Sequence, residues 1–358
     1  MNENRLERVL TEMEKQGLTQ MLISSPSAVF YLTGKWIEPG ERMLTFYINI
    51  SGDKKLIINE LFPINEKFDF DLIRYSDTED PVKRLCEFVD HSKPLGIDKN
   101  WPSHFLIRLM EKKGVSVFVN GSYIIDRIRM IKDSEEIKLM KKASSINDKV
   151  MEEIVNEFSS NRSEKEMCTI LRDLYESKGT QGFSFYPIIA YGANAADPHH
   201  DSGNSLVKDG DSIIIDMGCR NKYYCSDMTR TFFFGEPSKE AERVYNIVYE
   251  ANLNAISKIK PGTRFCDIDR AARAVIEGYN YGKYFTHRTG HSIGIEVHDF
   301  GDVSSINEET VQPGMIFSIE PGIYLPGSVG VRIEDLVLVT ENGCEVLNKY
   351  SKELRIFK

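Results

Sequence analysis

Two segments of this chain place a pair of acids on either side of a turn, inside strands that are otherwise strongly apolar. The first climbs through Ile213-Ile214-Ile215-Asp216-Met217-Gly218 and returns along 223–234, which contains Asp227. The midpoint of Asp216 and Asp227 is Asn221-Lys222, so a tight turn over 220–223 sets the two carboxylates directly opposite each other. The second climbs through Ile316-Phe317-Ser318-Ile319-Glu320 and returns through Val331-Arg332-Ile333-Glu334. Its midpoint is Gly327, within Leu325-Pro326-Gly327-Ser328. Opposed residues of paired strands have Cβ atoms about 5 Å apart, and like charges there repel. Burying an uncompensated carboxylate costs several kcal/mol, as an order of magnitude. One such pair can be a solvent-facing accident. Two pairs, each centred on a turn, predict a semi-buried site that holds cations, and four carboxylates neutralise about two divalent ions.

The remaining composition sets the frame for that site. A chain of 358 residues is longer than one core usually organises, which predicts two domains. The net charge of −9 and the absence of a basic run argue against nucleic-acid binding. The densest charged stretch, 127–142, mixes both signs and reads as a solvated helix face. The opening Met1-Asn2-Glu3-Asn4-Arg5 lacks the apolar core of a signal peptide, and no apolar run reaches the length of a membrane span. Cys86, Cys168, Cys219, Cys225, Cys266 and Cys344 are scattered without a CxxC pair, as expected of reduced thiols in a cytoplasmic protein that binds no membrane.

Along the chain, Leu6, Val9, Leu10 and Met13 have helical spacing over 4–17. Short apolar runs at 21–23, 28–32, 43–50 and 56–58 read as strands, helical patterns follow near 81–91 and 102–113, and 115–119 reads as a closing strand. This predicts an α/β domain. Near residue 126 the pattern changes. Asp133 with Glu136, and Ser163 with Glu166, are capping boxes that open helices, the first running to about 158. Further helices are expected over 239–258 and about 267–279.

Five of the seven histidines lie after residue 126: His199, His200, His287, His291 and His298. Neutral imidazole beside carboxylates suits zinc, manganese, cobalt or iron. His291 and His298 are seven apart, so an ideal strand would aim them at opposite faces; Gly294 is a candidate bend or bulge between them.

Taken together, Gly192-Ala193-Asn194-Ala195-Ala196-Asp197-Pro198-His199, Asp216-Met217-Gly218, Ser226-Asp227-Met228-Thr229-Arg230-Thr231, Gly290-His291-Ser292-Ile293-Gly294, Glu320-Pro321-Gly322-Ile323-Tyr324 and Val331-Arg332-Ile333-Glu334-Asp335 resemble the pita-bread metallopeptidases. The branch is the one containing prolidase (Xaa-Pro dipeptidase) and aminopeptidase P. The resemblance implies an α/β (α+β) protein: a creatinase/prolidase-type α/β domain over 1–126 and a pita-bread catalytic domain over 127–358. It implies Asp216, Asp227, His291, Glu320 and Glu334 as ligands of two divalent metal ions per subunit, manganese first among manganese, cobalt, zinc and iron. Asp227 and Glu334 would bridge them. His199, His298 and Arg332 match residues that contact substrate, and Glu320 is the candidate proton carrier. His287 would support the site, while Phe185 and Tyr324 would line a proline pocket. Proline-containing dipeptides or short peptides would be the substrates, and a homodimer the assembly. Ser292, Asp299 and Gly301 depart from the family's usual Gly, Glu and Pro without removing a ligand. Methionine aminopeptidases share the five ligands but space the glutamates farther apart. Creatinase-like hydrolases and non-catalytic peptide- or protein-binding relatives lack that ligand set. Dipeptidase against aminopeptidase specificity stays open.

Overall fold

The computed structural model describes residues 2–64, 67–112, 115 and 117–358. Contacts divide the chain into two units, Met1–Ile128 and Arg129–Lys358. The division falls inside α5 (Ser122–Met130), a helix that the sequence patterns did not single out.

In the first unit a six-stranded sheet has the order β4-β3-β2-β1-β5-β6. Its strands are β1 (Gln20–Ile23), β2 (Thr45–Asn49), β3 (Lys54–Asn59), β4 (Asp71–Tyr75), β5 (Leu95–Ile97) and β6 (Phe118–Asn120). The helices are α1 (Glu3–Lys15), α2 (Pro26–Thr33), α3 (Pro81–Cys86) and α4 (Ser103–Glu111). Leu22, Tyr47, Ile57, Val82, Leu95 and Leu109 form the core. Three expectations need correction. The run 28–32 is helix α2, capped by Ser25 with Pro26 in its first turn and ended by Gly34 in the left-handed region. Strands β4 and β5, too short or too polar to stand out, were missed. The expected helix at 81–91 ends at Cys86. Lys113, the end of the expected helix 102–113, and Ser116, within the expected strand 115–119, lie outside the described residues; the strand itself begins at Phe118.

The second unit is built around two largely antiparallel systems, each backed by a helix pair. Sheet β19-β11-β8-β7 comprises β7 (Ile188–Tyr191), β8 (Ser212–Met217), β11 (Met228–Phe234) and β19 (Ile356–Phe357), with β19 joining parallel to β11. Helices α6 (Ser134–Ile154) and α7 (Glu164–Ser177) supply Ile146, Met167, Leu171 and Tyr175 to a core shared with Ile189, Ile213 and Ile215. Both helices open with the capping boxes read from sequence. Helices α8 (Lys239–Ser257) and α9 (Phe265–Gly278) supply Val244, Val248, Ile268 and Ala272 to a second core with Phe317, Ile319 and Ile333. That core holds β14 (Ile316–Ile319) and β17 (Asp335–Val339), extended by β18 (Cys344–Val346), and the ribbon of β15 (Gly322–Leu325) with β16 (Val329–Arg332). Two-stranded ribbons β9 (Arg220–Asn221) with β10 (Tyr224–Cys225), and β12 (Gly290–His291) with β13 (Asp302–Val303), complete the unit. Among the described residues no helix is long and apolar enough to cross a membrane.

Candidate active site

Strand parity explains how the acids reach one place. In β8, Ile213, Ile215 and Met217 face the α6/α7 core, so Asp216 faces the other way. The first hairpin turns at Lys222-Tyr223, both with positive φ (47° and 70°), and pairs Asp216 with Thr229. The expected turn centre at Asn221-Lys222 was one residue early. Moving the turn centre by one moves the pairing by two, so Asp227 keeps its face and sits diagonal to Asp216. In the second hairpin Gly322 pairs with Arg332 and Ile319 with Asp335. The same register carried through the gap sets Glu320 against Glu334.

His291 lies in β12, which packs against β14. Its neighbour Gly290 has no room for a side chain: a Cβ there would meet the Ser318 carbonyl oxygen at 1.9 Å. From Ser292 the chain folds back, with Asp299 N–H donating to Ser292 O (2.9 Å) and Ser292 N–H to Gly301 O (2.9 Å). This loop, not a strand with a bulge, brings His298 to His291, their rings 4.3 Å apart and edge-on. Gly294 serves close approach, since a Cβ there would lie 2.5 Å from Asp299 Oδ2.

The acids and imidazole converge. Single donor atoms of Asp227, His291 and Glu334 lie within 4.8 Å of one another. His291 Nε2 is 3.7 Å from Asp227 Oδ2 and 3.5 Å from Glu320 Oε1. Among the described residues, Asp216 Oδ1, Asp227 Oδ1 and Glu334 Oε1 are buried without a hydrogen-bond donor. Ionised oxygens in that position are expensive unless a cation faces them. Burial, then the neighbouring acids Glu334 and Asp216, push the Asp227 carboxyl far above the usual range; burial, then Glu320 and Asp216, do the same to Glu334. Glu320 is pushed to about 7, first by burial, with Arg332 opposing. Burial and the adjacent His298 lower His291 to about 3, which keeps its imidazole neutral and able to ligate. The donor set of carboxylates and one imidazole, with orphaned oxygens aimed inward, fits divalent cations.

Arg332 ties this cluster to its surroundings. It is buried, donating from Nη2 to Asp216 Oδ2 (2.7 Å), from Nη1 to Tyr324 Oη (2.9 Å) and from Nε to Thr229 Oγ1 (3.2 Å). Burial works against its charge, but Tyr324 and Asp216 hold it firmly protonated. His287 Nε2 lies 2.8 Å from Tyr324 Oη, and burial lowers its pKa to about 4. A cavity of about 610 Å³ opens onto the cluster. Phe185, His199, His287, His298 and Arg332 line it together with the five expected ligands, as do Arg288 and His200. Tyr324 was expected in a proline pocket. It is 4% exposed and stands behind the cavity wall, holding Arg332 and His287.

Several supporting residues were missed. Thr229 donates to Glu334 Oε2 (2.7 Å), and Ser318 to Glu320 Oε1 (3.2 Å) while accepting from His291 N–H (3.0 Å). Each lies two positions from a site acid, so parity alone could have found them. Arg230, 1% exposed on the far side of β11, donates to Glu334 O (2.6 Å) and Asp335 Oδ1 (2.8 Å). Lys352 Nζ completes that buried ion group at 2.7 Å from Asp335 Oδ2. Nor is the stretch 127–142 simply a solvated face: Arg129, Lys132 and Glu136 are buried. Arg129 Nη2 donates to Asp299 Oδ1 (2.5 Å), next to His298.

The sequence matches metallopeptidase family M24 over residues 138–341 and the creatinase/prolidase N-terminal domain over residues 5–131. An uncharacterised peptidase of Staphylococcus aureus is 36% identical over 355 residues, covering 97% of this chain and 99% of the relative. The crystal structure of a dipeptidase from Pyrococcus horikoshii is similar with TM-score 0.93 and 37% identity, covering 99% of this chain and 100% of that one. A prolidase from Thermococcus sibiricus is similar with TM-score 0.96 and 34% identity, covering 100% and 99%.

Proposed function

Because the chain belongs to metallopeptidase family M24, with a creatinase/prolidase-type N-terminal domain before a pita-bread catalytic domain, we propose that it hydrolyses Xaa-Pro peptide bonds as a dipeptidase or aminopeptidase. The observation that carries this reading is the convergence of Asp216, Asp227, His291, Glu320 and Glu334 around three orphaned carboxylate oxygens at the floor of a peptide-sized cavity. These five would hold two divalent ions, manganese foremost. Bound there, such ions polarise a carbonyl and make water acidic enough to attack near neutral pH.

The chain's own groups supply the rest. Glu320 is the candidate to take a proton from the attacking water and return it to the departing proline nitrogen. His298 and His199 face the same cavity and donate to the oxyanion as it develops. Arg332 fixes Asp216 and adds positive charge beside it. Phe185 offers an apolar wall, and the proline nitrogen of the scissile bond needs no acceptor in the bound substrate because it carries no hydrogen. A reducing, cytoplasmic setting agrees with six cysteines that form no disulfide. A homodimer follows by analogy with the family.

The test is hydrolysis of Ala-Pro, Ala-Ala and Ala-Pro-Ala by manganese-loaded protein. Ala-Pro is expected to exceed Ala-Ala by at least about tenfold in kcat/KM. Release of alanine from Ala-Pro-Ala marks an aminopeptidase, and cleavage of Ala-Pro alone a dipeptidase. Equal cleavage of Ala-Ala would contradict the proline preference.

A further inference from the structure

The buried carboxylate of Glu164 takes no part in the chemistry above, yet the loop that carries His199 converges on it. Glu164 is the first residue of α7 and is fully buried. Capping does not require it, since Ser163 is the N-cap and Glu166 closes the capping box. Its Oε1 accepts from Tyr191 N–H (2.9 Å) and Asn194 Nδ2 (2.8 Å). Its Oε2 accepts from Gly203 N–H (2.8 Å) and faces His200 Nε2 at 2.9 Å. A carboxylate accepts at about four lone-pair positions, and a His200 tautomer with its hydrogen on Nε2 would supply the fourth donor.

These donors bracket His199 from both sides in sequence. Tyr191 and Asn194 lie before it; His200 and Gly203 lie after. Asp197 closes the span, accepting His199 N–H at its side chain (3.0 Å) and His200 N–H at its carbonyl (3.2 Å). With His200 drawn inward to Glu164, the adjacent His199 is left exposed to the cavity. A flexible loop would lose part of its catalytic effect to orientation, and misplacement by about 1 Å costs on the order of 10²-fold in rate.

We propose that Glu164, acting through His200 and the three other loop donors, is the positioning residue that holds His199 toward the reacting carbonyl. The inference rests on the reading of His199 as a substrate contact. Glu164→Gln turns one accepting oxygen into a donor that faces other donors. It is expected to lower kcat/KM of the manganese-loaded enzyme about 10- to 100-fold, mainly through kcat, with manganese affinity unchanged. The same substitution in a His199→Ala background is expected to add less than about twofold, because coupled residues are not additive. His200→Gln, whose amide can still donate to Glu164, is expected to retain most of the activity that His200→Ala loses, and these two variants decide the matter should Glu164→Gln fail to fold. Full activity of Glu164→Gln, additive losses in the double variant, or equal losses in the two His200 variants would overturn the proposal. Full activity of His199→Ala would instead remove the reading of His199 on which it stands.

Discussion

Glu334→Gln is expected to abolish manganese-dependent activity and, in the same protein, to raise the thermal stability of the metal-free form. The two effects have opposite signs for one physical reason. Asp216, Asp227, Glu320 and Glu334 share a buried pocket in which three carboxylate oxygens have no donor among the described residues. Burial first, and then their mutual repulsion, push the Asp227 and Glu334 carboxyls far above the ordinary carboxylate range. Glutamine keeps the shape and can still accept from Thr229, now at 2.7 Å from Glu334 Oε2, but carries no charge. Relief on the order of 1 kcal/mol would raise the metal-free midpoint by about 2–4 °C in a unit of this size. The loss of a proposed metal ligand should lower kcat/KM by at least about 10³-fold, the several kcal/mol that Lewis-acid stabilisation supplies. Acid should mimic the substitution. A carboxyl whose folded pKa is raised binds its proton more tightly in the fold, so the cost of Glu334 to the metal-free protein shrinks as pH falls from about 7 towards 5, while the buried imidazoles of His287 and His291, lowered to about 4 and about 3, cost both proteins stability over the same range; the gap between wild type and variant should therefore narrow. Differential scanning of metal-free wild type and variant across that range reads both effects. A variant that is less stable than wild type without metal would contradict the charge argument.

Arg332→Lys is expected to separate metal holding from catalysis. The guanidinium reaches three partners at once: Asp216, Tyr324 and Thr229. An ammonium is a single point and cannot span them. Asp216 and the Tyr324–His287 pair would then lose their common anchor, although the net charge of the pocket stays the same. The expected loss is about 10²–10³-fold in kcat/KM, comparable to removing one preorganised donor. Bound manganese should remain close to wild type, since Arg332 is no ligand. Steady-state kinetics with metal analysis of the same sample reads the separation; loss of metal in proportion to activity would place Arg332's role in assembling the ligands.

Periodicity made the helices of the second unit legible to within a few residues, because capping boxes at Asp133 and Ser163 are local chemistry. The first unit was harder. An apolar run of five residues at 28–32 fits strand and helix equally, and only Ser25-Pro26 and Gly34 distinguish them. At the hairpins, Gly327 marks its own turn, whereas Lys222 and Tyr223 adopt positive φ that their side chains do not announce. The acids nevertheless kept their face, because a shift of the turn centre preserves parity. What stayed hidden depends on distant contacts. Glu164 is explained locally as a helix-start acid, and only the folded loop shows four donors turned towards it. Arg129 and Lys132 alternate with acids as a surface helix would, yet Asp299, about 170 positions away, draws Arg129 inside.

Hydrolysis of Ala-Pro and of Ala-Pro-Ala by protein stripped of metal, before and after manganese is added back, tests the proposed metal centre most directly. No cleavage of either is expected without metal, and restored cleavage of at least one of the two with it. Undiminished cleavage by the metal-free protein, or none with manganese, cobalt, zinc or iron, would contradict a hydrolytic centre built on Asp216, Asp227, His291, Glu320 and Glu334.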